Sequence, residues 1–118
     1  MVTRQGDVCW CDFGPAHGSG PSRRRPCVVI QNNVFNRSRI NTTVVCLLTS
    51  NLMREGAPGN VALSKGEAGL PKKCIANVSQ LMTVDKTDLS EKIGTLRARR
   101  LREILAGVQG LLEPADVP

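Results

Sequence analysis

Residues 92–112, KIGTLRARRLREILAGVQGLL, decide the fold, because the period of the apolar positions changes inside them. Lys92 to Leu96 fit a brief strand. From Arg97 onward, Leu101, Ile104, Leu105, Val108, Leu111 and Leu112 fall on one face at helical spacing, with Arg99, Arg100, Arg102 and Glu103 elsewhere. Gly107 and Gly110 each weaken a helix by roughly 1 kcal/mol relative to Ala, so this one must be held by packing. Pro114 ends it. Everything upstream has strand character, so the helix is terminal and either covers apolar sheet or meets a second subunit.

Working back from that helix, Cys74 to Val84 form the longest strand, with Ile75, Asn77, Ser79 and Leu81 alternating against Ala76, Val78, Gln80 and Met82. Alternation sets Asn77 and Gln80 on opposite faces, so at most one can point into a shared groove. Short strands are expected at Asp7–Phe13, Pro26–Gln31, Thr42–Ser50 and Asn60–Leu63, with about one helical turn between Asn32 and Asn41. Pro26 begins its strand, where a missing N–H costs the sheet least. Residues 14–24 hold three Gly, two Pro, two Ser and two Arg and read as a long exposed loop. Five or six short strands and one terminal helix predict a small barrel-like sheet, mainly β, in one domain spanning residues 1–118.

The composition narrows the function. The chain has 118 residues, 41% hydrophobic and 22% charged, which favours a folded domain over disorder. No apolar run approaches the ~20 residues of a membrane span, and MVTRQGDV lacks the apolar stretch of a signal peptide, so a cytoplasmic protein without a membrane is expected. Sixteen Lys and Arg against ten Asp and Glu give a formal charge of +6, which suits a polyanionic or acidic partner. Trp10, Phe13 and Phe35 are the three aromatics, too few for a base-stacking platform, so a grip on RNA must rest on charge and hydrogen bonds. Five cysteines, Cys9, Cys11, Cys27, Cys46 and Cys74, lack paired C-x-x-C spacings and read as small buried hydrophobes. Cys9 and Cys11 alternate onto one strand face and, with His17, leave a weak metal site as the other reading; no metal or cofactor is expected.

One histidine excludes a two-imidazole acid–base pair, and no cluster suits a two-metal nuclease. What remains is Arg23-Arg24-Arg25-Pro26 and the strand end Leu48-Thr49-Ser50-Asn51. Arg25 precedes a proline at a strand start, and its planar fork can hold phosphate oxygens and the charge of a five-coordinate phosphorus. The plainer reading is a solvated charge run. Thr49 and Ser50 hydroxyls could meet Arg25 at one sheet end, although strand-end hydroxyls are common.

Short segments in order complete the pattern: Gly6-Asp7-Val8 with Trp10 and Asp12; Gly18-Ser19 leading to Arg24-Arg25-Pro26; Val28-Val29-Ile30-Gln31-Asn32; Asn36-Arg37; Leu48-Thr49-Ser50-Asn51; Pro58-Gly59-Asn60-Val61; Gly69-Leu70-Pro71; Asn77-Val78-Ser79-Gln80; and Thr83-Val84-Asp85-Lys86. Together they resemble the MazF/PemK family of toxins from toxin–antitoxin pairs, over nearly the whole chain. The resemblance implies an SH3-like barrel, a homodimer, and sequence-specific, metal-independent cutting of single-stranded RNA (mRNA) by 2′-hydroxyl attack. It implies Arg25 and Thr49 as the catalytic pair and an acidic antitoxin as partner. RNA-contacting residues are expected at Ser19, Arg23, Arg24, Asn36, Arg37, Ser50 and Gln80. Two departures stand out: Gly20 where many relatives carry a carboxylate after the loop serine, and Lys73-Cys74 where they often have Asp-Ser. A gyrase poison on the same fold and a non-catalytic RNA-binding module are the rival readings.

Overall fold

The computed structural model describes residues 2–15 and 22–118. Six strands, β1 (Asp7–Pro15), β2 (Ser22–Val29), β3 (Thr42–Thr49), β4 (Val61–Leu63), β5 (Cys74–Asp85) and β6 (Leu89–Thr95), form one sheet in the order β4-β5-β3-β2-β1-β6. Every recorded pairing is antiparallel. A short helix α1 (Asn33–Arg37) links β2 to β3, and α2 (Ala98–Leu112) closes the chain. The fold is therefore mainly β with one C-terminal helix, as expected, and the sheet curls into a half-barrel.

Alternation along the strands splits the apolar side chains into two cores. On one face Val8, Val28, Cys46, Leu48, Leu63, Leu70 and Ala76 pack beneath Ile104 and Val108 of α2. On the other, Cys9, Cys11, Cys27, Val29, Val45, Val84 and Leu89 form a second cluster. All five cysteines are buried and unpaired. Loss of water pushes the Cys9 and Cys11 thiols up to about 11 and Cys46 up to about 12, with Cys27 raised as well. These thiols therefore stay neutral and pack as small hydrophobes, the reading the sequence favoured. His17 lies outside the described residues.

The helix glycines differ in role. Gly107 abuts the turn at Gly59, whose own Cβ position would lie 3.2 Å from the Gly107 Cα, while nothing lies within 4 Å of a Cβ at Gly110. The first glycine lets α2 approach the backbone; the second does not. The buried stripe also ends early: Ile104 and Val108 are buried, but Leu111 and Leu112 are exposed.

Several strand boundaries differ from the sequence reading: β1 runs on to Pro15, β6 begins at Leu89, and the largest shift is at the start of β2. β2 begins at Ser22, not Pro26, so the connection after β1 is shorter than residues 14–24 suggested. The extra residues pair with β1 alone, Arg24 with Asp12 and Arg25 with Cys11, and a one-sided ladder needs no apolar run. Pro26 is consequently interior to β2. It pairs with Trp10 of β1, while pairing to β3 begins only at Cys27, so its missing N–H leaves no gap in the β2–β3 ladder.

Candidate functional site

β2 and β3 pair at Val29 with Val45, Val28 with Cys46 and Cys27 with Leu47, and then the ladder stops. Continued by two residues, that register sets Arg25 opposite Thr49. Both lie on the face of Cys27 and Leu47, at the edge of the second core, because side chains two apart share a face. Both line two adjoining depressions. One, of about 190 Å³, is walled by Trp10, Arg24, Pro26, Ser50, Leu70, Pro71 and Lys72 among others. The second, of about 590 Å³, is walled by Phe13, Leu47, Asn51, Arg54, Asn77, Gln80 and Met82 among others. Among the described residues no carboxylate lines either one. The Arg25–Thr49 pair is thus the shared ridge of a cationic surface.

The three neighbouring arginines are not equivalent. The Arg24 guanidinium lies 5.0 Å from the Trp10 ring centroid and 3.3 Å from Glu91, so its charge is already partly used. Arg25 is exposed, and its side chain makes no hydrogen bond or ion pair with any described residue. Arg23 belongs to β2, with its side chain outside the described atoms. Thr49 Oγ1 accepts the Asn51 N–H at 3.1 Å. With a lone pair engaged by the backbone, its hydroxyl proton is left to donate outward. Asn51 in turn caps the following turn by accepting from the Met53 N–H, which brings Arg54 to the rim.

The structure brings Arg25, Thr49, Ser50, Arg24 and Gln80 together and leaves Asn36 and Arg37 apart. Asn36 is buried. It donates to the Gln31 carbonyl at 2.7 Å and accepts from Thr43 Oγ1 and Gln31 Nε2, both at 2.9 Å, while Lys86 donates to its own carbonyl. That network fastens α1 to β3 and consumes the amide, so Asn36 braces the fold at a distance from the two depressions. Arg37 is exposed on α1 and lines neither. Ser19 lies outside the described residues.

Alternation failed at one place that matters. Cys46 pairs with Leu81 but Leu48 with Ala76, so residues 77–80 of β5 bulge opposite a single residue of β3. The bulge lets Asn77 and Gln80 line the same depression, with Asn77 Nδ2 donating to Gln80 Oε1 at 3.0 Å. Trp10, Phe13, Arg54, Lys72 and Met82 also line the site without having been singled out for it. Arg54 could have been suspected from its place just after Asn51; the others depend on the curl of the sheet. Lys73, an added charge by its sequence, is paired with Glu55 at 2.8 Å.

Among the described residues no group of His, Cys, Asp and Glu is arranged to hold a metal ion, and no helix is long and apolar enough to cross a membrane.

Comparison with known proteins gives a consistent result. Residues 4–112 match the model of the PemK-like, MazF-like toxin of type II toxin–antitoxin systems. Endoribonuclease MazF6 of Mycobacterium tuberculosis is 36% identical over 113 residues, covering 96% of this chain and 99% of the relative. A mycobacterial endoribonuclease solved with its cognate antitoxin is 26% identical, with a TM-score of 0.71 over 95% of this chain and 99% of its own. A Deinococcus radiodurans MazE–MazF structure has a TM-score of 0.76 at 23% identity, covering 95% of this chain and 96% of its own, a likeness of fold. With the match spanning nearly its full length, the chain belongs to the PemK-like, MazF-like toxin family of type II toxin–antitoxin systems.

Proposed function

We propose that this protein is a sequence-specific endoribonuclease that cuts single-stranded RNA without a metal, using Arg25 and Thr49. The observation that carries the reading is an Arg25 guanidinium with no partner among the described residues, lining the same depressions as a threonine whose hydroxyl is free to donate, where the described lining holds cations and no carboxylate. The relatives' names, both endoribonucleases, support the RNA-cutting part of this reading.

The 2′-oxygen bonds to the adjacent phosphorus as the bond to the 5′-oxygen breaks. The 2′-proton is lost and the departing 5′-oxygen gains one, leaving a 2′,3′-cyclic phosphate and a 5′-hydroxyl. Charge builds on the non-bridging oxygens along the way. The Arg25 fork meets two acceptors at once, and Thr49 donates to a non-bridging oxygen; both bonds strengthen as that charge grows. An arginine pKa above 12 makes Arg25 a charge stabiliser and not a base. Arg24, Arg54 and Lys72 track neighbouring phosphates, with Ser50 and Gln80 supplying hydrogen bonds.

The same positive surface suits an acidic, extended antitoxin segment laid across it. We take the working form to be a cytoplasmic homodimer, with Leu111 and Leu112 leaving apolar surface that a second copy can cover. The test is to incubate the purified protein with a long transcript in EDTA and map the new ends. Cyclic phosphate and 5′-hydroxyl ends at recurrent short motifs support the reading. Intact RNA bound by the protein would indicate a binding module instead, and intact, unbound RNA would contradict both.

A further inference from the structure

Beside the Arg25–Thr49 ridge, Asn77 and Gln80 of the wider depression end a chain of three side-chain amides that starts at Asn60, and its polarity is fixed from that end by the backbone. Asn60 Oδ1 accepts the Val78 N–H at 2.9 Å, and Asn60 Nδ2 donates to the Arg54 carbonyl at 2.9 Å. A backbone N–H can only donate and a carbonyl can only accept, so Asn60 has one permitted orientation. Its Nδ2 also donates to Asn77 Oδ1 at 3.3 Å, where the Ser79 hydroxyl adds a second donor at 3.0 Å. Asn77 is therefore turned with Nδ2 outward, and that group donates to Gln80 Oε1 at 3.0 Å. The carbonyl of Gln80 is occupied, and its Nε2 is the part left facing the depression.

Resting on the endoribonuclease reading above, we infer that Asn77 is a positioning residue that holds Gln80 donor-outward. Gln80 thereby selects, next to the cleaved phosphate, a base presenting a carbonyl oxygen over one presenting an amino group. Uracil O4 and guanine O6 put that oxygen at one end of the Watson–Crick edge, where cytosine and adenine carry the N4 and N6 amino groups. Phe13 and Met82 supply apolar wall for the base, and the depression's 590 Å³ falls within the size of ordinary small-ligand sites. A free glutamine amide would turn to suit either edge, whereas this one is turned before RNA arrives.

The chain of amides makes the inference reversible by one atom. Asn77→Asp keeps the acceptor for Asn60 and Ser79 but removes the donor, so Gln80 must present Nε2 to the carboxylate and Oε1 to the base. The experiment digests one long transcript with wild type, Asn77→Asp and Gln80→Leu and sequences the 5′ ends. We expect wild-type sites to share U or G at one fixed position. Asn77→Asp should shift that position toward C or A by about tenfold, and Gln80→Leu should flatten it while leaving the other positions of the motif as they were. Identical motifs for all three proteins, or a wild-type motif with no such position, would overturn the inference while leaving RNA cleavage standing. If Asn77→Asp fails to fold, Gln80→Leu decides: an unchanged motif overturns, and a flattened single position supports. A wild type that leaves RNA whole contradicts the endoribonuclease reading, and this inference with it.

Discussion

Arg25 and Thr49 line the same two depressions, and the β2–β3 register, extended two residues past its last pair of Cys27 with Leu47, sets them opposite one another. The relationship explains how a charge run becomes a site. Inside a ladder, cross-strand neighbours are tied to the sheet's own packing; at an open end they can turn to a ligand. Pro26, which cannot donate to β3, sits where the two strands part.

Thr49 contributes through one hydroxyl proton. Thr49→Val keeps the branched shape and removes the hydrogen bond to a charged oxygen, a loss of about 1.5–3 kcal/mol or roughly tenfold or more in rate, along with the exposed acceptor for the Asn51 N–H. Single-turnover cleavage of a short RNA measures it. RNA affinity should change much less than rate, and a rate equal to wild type removes Thr49 from the mechanism.

The arginines around the site should separate by salt dependence. Arg54 and Arg23 are expected to contact phosphates, so Arg54→Ala or Arg23→Ala should lower the slope of log affinity against log salt by about 0.7 per lost contact. Arg24→Ala should have a smaller effect, because its guanidinium already lies on Trp10 and near Glu91. Binding titrations at several salt concentrations supply the slopes. Equal slopes for all variants would make these residues solvated charges.

Two helix glycines should respond in opposite directions. Gly110→Ala meets open space and should stabilise by up to about 1 kcal/mol through helix propensity. Gly107→Ala drives a methyl into the Gly59 carbonyl oxygen and should cost about 1–3 kcal/mol. Urea unfolding of the two variants gives the comparison, and a stabilising Gly107→Ala would contradict the close approach of α2 to that turn.

The buried thiols predict loss of stability in alkali. Their folded values are raised above the ordinary 9.0, so folding favours the neutral thiol. That contribution is complete below about pH 9. It declines as the pH climbs toward 11 and 12, because the unfolded chain ionises first. At pH 8 a disulfide reagent such as DTNB should label native protein far more slowly than denatured protein. Rapid labelling of Cys9, Cys11 and Cys27 in the native state would show the second core to be open.

Much of this architecture was legible in the sequence where apolar period carried the signal. The change of period after Leu96 located α2, and β-branched runs located β3 and the apolar half of β2. The first residues of β2 escaped because Arg24 and Arg25 pair through backbone to β1 alone, which leaves no apolar trace. Asn77 and Gln80 were assigned to opposite faces because alternation assumes an unbroken ladder, and the bulge opposite Leu47 depends on a strand far away in sequence. Asn36 was read as an RNA contact, whereas its amide is spent on Gln31 and Thr43. A polar residue in a short motif looks the same in sequence whether it braces a loop or meets a ligand. Arg25 and Thr49 were legible by type and by family likeness; their alignment across the sheet end required the register.

The most direct measurement is RNA cleavage by Arg25→Ala in EDTA, with circular dichroism and thermal unfolding run on the same sample. Arg25 is exposed and without a described partner, so the variant should fold as wild type. It should cleave at least ~10²-fold more slowly while retaining much of its affinity for RNA. Cleavage at the wild-type rate and at the same sites would contradict the central role given to this guanidinium.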